Sequence, residues 1–184
     1  MKTLLAAAFA ATLLPLAVHA QGQIVFANLF GSVNAPVTLS PNNKGPGPGY
    51  TAQLYLVNGL ALTPLSPTST FRPPGPGAAA IADRYWDIQD VIVPGVTPGN
   101  AATFVVRAWR TDFGSFDVAR MANTGLDWGE SAPFTVTVGG GTLPPASLVA
   151  LQSFTMTIIP EPSTLTLLAL GVLALLGASL RKRR

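Results

Sequence analysis

Residues 102–110 read Ala-Thr-Phe-Val-Val-Arg-Ala-Trp-Arg. In an extended chain Phe104, Val106 and Ala108 point to one side, and Thr103, Val105, Arg107 and Trp109 to the other. Alternation of this kind is the signature of a strand. The same period recurs on both sides of the run. Residues 50–57 set Tyr50, Ala52, Leu54 and Leu56 against Thr51, Gln53, Tyr55 and Val57. Residues 134–138, Phe-Thr-Val-Thr-Val, predict a half-buried strand ended by Gly139-Gly140-Gly141. Residues 151–159 alternate Phe154, Met156 and Ile158 with Thr155 and Thr157. Residues 24–28 and, less regularly, 86–93 add two more, the latter stopped by Pro94-Gly95.

The connections are rich in turn formers. Asn42-Asn43-Lys44-Gly45-Pro46-Gly47-Pro48-Gly49 and Pro73-Pro74-Gly75-Pro76-Gly77 read as loops, and neither sustains the three-residue period of collagen. One short helix is predicted over residues 116–122, ahead of Asn123-Thr124-Gly125. Six strands joined by Gly/Pro turns, with almost no helix, predict an all-β chain: an antiparallel β-sandwich, immunoglobulin-like or jelly-roll-like.

Both ends of the 184-residue chain are apolar. Lys2 supplies a minimal positive region, residues 3–16 an apolar run, and Val18-His19-Ala20 the small residues a signal peptidase reads. Residues 1–20 are therefore predicted to be a signal peptide, cut between Ala20 and Gln21; Pro15 and the brevity of the run argue against an uncleaved membrane helix. At the other end, Pro160-Glu161-Pro162 precedes an uncharged run over residues 163–180, which Arg181-Lys182-Arg183-Arg184 closes. As a helix, that run would rise roughly 27 Å, close to the hydrocarbon thickness of a bilayer. Four consecutive cations resist crossing, so residues 181–184 are expected to stay cytoplasmic as a stop-transfer tail.

A Pro-Glu-Pro triplet, an apolar helix and an arginine-rich end, in that order, resemble the PEP-CTERM sorting signal. The resemblance covers residues 160–184. It implies a bacterial exported protein whose Pro160, Glu161 and Pro162 are read by an exosortase-like processing enzyme while residues 163–180 hold the precursor in the inner membrane. It also implies a mature product at the cell surface or in the extracellular matrix, associated with exopolysaccharide or biofilm.

Residues 21–159 remain as the exported domain. The formal net charge of +3 belongs to the ends. Within the domain, six cations (Lys44, Arg72, Arg84, Arg107, Arg110, Arg120) face seven anions (Asp83, Asp87, Asp90, Asp112, Asp117, Asp127, Glu130). Without a basic patch, nucleic-acid binding has no support. The chain has no cysteine, and its single histidine, His19, leaves with the signal. Disulfides, thiol catalysis, zinc ribbons and a Ser-His-Asp triad are thereby excluded.

Other chemistry is thinly represented. Asp83, Asp87 and Asp90 lack the regular spacing of a calcium loop; Asp83 reads as paired with Arg84 or solvent, and Asp87 and Asp90 as strand-edge charges. Gly139-Gly140-Gly141 reads as a hairpin or linker, because no helix with a Gly-Lys-Thr follows it. Trp86, Trp109 and Trp128 read first as core or edge packing; Trp128, in a turn-like segment between Asp127 and Gly129-Glu130, reads as the most exposed and is the candidate glycan contact. The resulting expectation is a non-enzymatic exported surface protein with no cofactor. Two alternatives accompany it: a carbohydrate-binding module using Trp128, and a glycan hydrolase using carboxylates such as Asp127 and Glu130.

Overall fold

The computed structural model describes residues 21–40, 42–122 and 128–156; the predicted signal peptide and sorting segment lie outside them. In chain order the strands are β1 (Gly22–Phe26), β2 (Leu29–Phe30), β3 (Val33–Asn34), β4 (Val37–Leu39), β5 (Tyr50–Asn58), β6 (Ala61–Pro64) and β7 (Ser69–Thr70). They continue as β8 (Gln89–Val93), β9 (Ala101–Arg110), β10 (Trp128–Glu130), β11 (Phe134–Thr137), β12 (Ala146–Ser147) and β13 (Phe154–Met156). Among the described residues there is one α-helix, α1 (Phe116–Ala122), and there are 3-10 turns at Gly77–Arg84 and Thr111–Phe113. The protein is mostly β, as its alternating pattern predicts.

The two most regular runs become the two longest strands and lie side by side. β5 and β9 pair antiparallel from Tyr50 opposite Arg110 to Leu56 opposite Phe104, at the centre of a six-stranded sheet. β6 and β7 extend that sheet beyond β5, while β10 and β11 share the far side of β9. Ser131 joins these last two. Its N–H donates to the Val106 carbonyl at 2.9 Å, and its buried hydroxyl accepts from the Val106 N–H at 3.0 Å. A side-chain oxygen thus stands in for a strand carbonyl and keeps the β9 backbone satisfied where the partner strand breaks.

A three-stranded sheet has β1 at its centre, between β12 and β8. Ile24 and Phe26 of β1 and Val91 and Val93 of β8 are fully buried in one core with Leu54, Phe104 and Val106 of the larger sheet. Each such side chain withdrawn from water contributes about 1.5–3 kcal/mol. Trp86 sits in the same core, its ring 4.9 Å from Phe26 and edge-on to Phe71 at 5.6 Å. Its indole N–H donates to the Phe26 carbonyl at 3.3 Å, so the polar handle is not left dry.

Two pairings depart from the antiparallel expectation: β1 with β12, and β13 with β4, are parallel. Parallel neighbours need a long crossover, and most of the domain intervenes in each case. At the β5–β6 hairpin, Asn58 pairs with Ala61, leaving Gly59 and Leu60 as the loop. Gly59 holds φ +60°, a left-handed conformation that a two-residue hairpin requires and a side chain disfavours. No helix among the described residues is long and apolar enough to cross a membrane, and residues 163–180 lie outside them.

Candidate functional site

The last described strand leads directly to the sorting segment. β13 runs parallel to β4 with Phe154 beside Val37 and Met156 beside Leu39. Met156 is fully buried, and its carbonyl accepts the Ser40 N–H at 3.1 Å. The hydroxyls of Thr38 and Thr155, opposite each other across the pair, lie 3.2 Å apart. Gly129 of β10 passes so close that a Cβ there would stand 2.8 Å from Met156 Cγ and 2.9 Å from Met156 Cα. Strand β13 is therefore clamped between β4 and β10. Pro160, Glu161, Pro162 and the tail Arg181, Lys182, Arg183 and Arg184 lie outside the described residues.

At the other end, Ala20 is outside the described residues and Gln21 is the first within them, solvent-exposed. From Gly22 onward the chain is fixed. The Gly22 N–H donates to the Val96 carbonyl at 2.7 Å, and Gln23 exchanges two hydrogen bonds with Gly139 at 2.8 and 3.1 Å.

Trp128 is a strand residue, half-buried, where a turn-like setting is expected from the sequence. Helix α1 is the reason. It packs on the outer face of the six-stranded sheet, where Phe116 and Ala119 bury themselves against Trp109. Trp128 meets Phe116 edge-on at 5.5 Å, and Phe116 meets Trp109 the same way at 6.5 Å. Trp128 and Trp109 are also cross-strand partners. Trp86 and Trp109 are buried, in agreement with the packing expectation.

Beside this aromatic group lies Arg107, opposite Glu130 across β9 and β10, with Nε donating to Glu130 Oε2. The Arg107 guanidinium also stands 4.8 Å from the centre of the Tyr55 ring. Burial pushes the Tyr55 hydroxyl above its ordinary value, and the Arg107 charge opposes part of that rise. Glu130 is thus a partner of Arg107, and Asp127 lies outside the described residues.

The remaining acids are dispersed. Asp87 accepts from Arg72 Nε at 3.2 Å, and Asp90 is exposed on β8. Asp83 lies against Gly45 in the loop. The Arg110 guanidinium, hydrogen-bonded at 2.8 Å, holds the exposed Asp112 carboxyl below its usual value. No group of three or more metal-ligating side chains gathers among the described residues.

An open groove of about 610 Å³ was not foreseen from the sequence. It lies beside β11 and β12, bordered by Thr135, Val138, Leu143, Pro144, Ala146 and Val149. Its rim includes the hairpin in which Gly140 and Leu143 exchange hydrogen bonds at 3.0 and 3.1 Å. The glycine triplet thus lies in a hairpin, one of the two readings its composition allows. Leu143, Pro144 and Val149 have no periodicity that would have announced a groove.

No curated protein and no solved structure matches the chain. Residues 159–184 match the family model of the PEP-CTERM protein-sorting motif, so the chain carries that motif, the mark of exosortase-targeted exported proteins, at its C-terminus.

Proposed function

We propose that this is an exported, non-enzymatic protein of the cell surface or extracellular matrix. In this reading, signal peptidase cuts after Ala20. Residues 163–180 then hold the precursor in the inner membrane, with residues 181–184 in the cytoplasm. An exosortase-like enzyme reads Pro160, Glu161 and Pro162 and releases or transfers the body, which associates with exopolysaccharide in a biofilm matrix.

The observation that carries this reading is the sorting motif itself, starting at Ile159 almost directly after a strand that ends in the core at Met156. The triplet's sequence suits reading by an enzyme at the membrane, since each proline disfavours the helical region for the residue before it. The body is an immunoglobulin-like or jelly-roll-like β-sandwich, a reading supported by two sheets that share one core.

Replacing Pro160, Glu161 and Pro162 together by alanine tests the proposal. The altered chain is expected to remain a membrane-bound precursor, whereas the natural chain yields a surface or released species spanning Gln21 to about Pro162 by intact mass. Normal surface delivery of the altered chain at normal size would overturn the proposal.

A further inference from the structure

We propose that the mature chain begins with a pyroglutamate formed by cyclisation of Gln21, an inference that rests on the signal-peptide cut after Ala20. Once that cut is made, Gln21 has both a free α-amine and, in the same residue, a carboxamide that the amine can reach through a five-membered ring. The amine nitrogen attacks Cδ of its own side chain. A C–N bond forms, the Cδ–Nε2 bond breaks, and the side-chain nitrogen leaves as ammonia, taking up the proton lost by the amine. Neither an oxidant nor a second substrate enters. The ordinary α-amine pKa of about 7.7–8.0 leaves a usable neutral fraction near pH 7.

The setting in the fold favours the step at this residue and gives it a consequence. Gln21 is exposed and lies ahead of β1. The next residue is held: the Gly22 N–H bonds Val96, and a Cβ on Gly140 would collide with the Gln21 carbonyl. The chain therefore projects a single reactive residue from a fixed base. β1 is the central strand of its sheet and supplies Ile24 and Phe26 to the core, both at 0% exposure. The free α-amine that an aminopeptidase requires would otherwise stand only three residues ahead of Ile24. The lactam removes the amine such enzymes require and leaves the end of β1 uncharged.

The test is to recover the mature protein from the surface or medium of cells making the full chain and to read its N-terminal peptide by tandem mass spectrometry, beside Gln21→Ala. The natural peptide is expected to start at residue 21, to be lighter by one ammonia than its linear form, and to resist Edman degradation until treated with pyroglutamyl aminopeptidase. The Gln21→Ala peptide is expected to carry an open amine. A natural chain that starts at Gln21 with its amine open overturns the lactam and leaves the cut standing. A natural chain that starts elsewhere overturns both, and the natural protein alone decides between these outcomes.

Discussion

The guanidinium carbon of Arg107 stands 4.3 Å from the centre of the Phe116 ring, joining a strand of the six-stranded sheet to the helix that covers its outer face. The Arg107 side chain is only 11% exposed and is shared with Glu130 and Tyr55, so this charge organises a second, smaller core. A planar fork can face the rings while its Nε serves the carboxylate; an ammonium cannot reproduce that geometry.

Arg107→Lys is therefore expected to lower stability by about 1–2 kcal/mol although the charge is kept. Phe116→Ala empties the centre of the same cluster and is expected to cost about 3 kcal/mol or more. Urea denaturation of the two single variants and the double variant checks both. Because the residues touch, the double variant should fall short of the sum. Additive losses would show that the two do not interact.

Asn28 is fully buried and hydrogen-bonded through both ends of its amide. Its Nδ2 donates to the carbonyls of Ala35 at 2.9 Å and Arg84 at 3.0 Å, and its Oδ1 accepts the Trp86 N–H at 3.1 Å. Asn28→Leu keeps the approximate bulk but strands three backbone groups in the dry interior. A loss of at least about 2 kcal/mol is expected, read as a lower denaturation midpoint.

Gly129 and Met156 leave no room for a Cβ between them. Gly129→Val is expected to push β13 off β10 and to destabilise the fold by about 1–3 kcal/mol. Amide exchange would show the loss directly, with the Ser40 N–H, which bonds the Met156 carbonyl, exchanging faster.

Tyr55 sets an alkaline limit. Its hydroxyl is raised above the ordinary value chiefly by burial, with Arg107 opposing. The unfolded chain then loses this proton first once pH passes about 10, so stability is intact below that point and declines as pH rises through it. Tyr55→Phe should flatten the decline, as measured by thermal melts across the alkaline range. An unchanged slope would remove Tyr55 from the explanation.

Much of this architecture is legible in the sequence because long strands carry their own period. The alternation at residues 102–110 and 50–57 anticipates β9 and β5, and residues 116–122 anticipate α1 to the residue. β2, β3, β7 and β12 have two residues each, too few for any periodicity to register. The second core is hidden for a different reason. Trp109, Phe116 and Trp128 are scattered along the chain, and their meeting depends on where α1 lands on the sheet. Trp128 accordingly reads as a turn residue from its glycine and acidic neighbours, while in the fold it is a partner of Trp109. The sorting motif, by contrast, is a linear signal, and linear order is what a sequence displays best.

The seating of β13 also has a mechanical side. Were the chain pulled from its carboxyl end, the first described element to take the load would be a strand of three residues, Phe154–Met156. Resistance to that pull rests on Met156 in its socket and on three paired positions along Val37, Thr38 and Leu39. With three paired positions against the seven that join β5 to β9, this short strand would be expected to yield to such a pull before the larger sheet does.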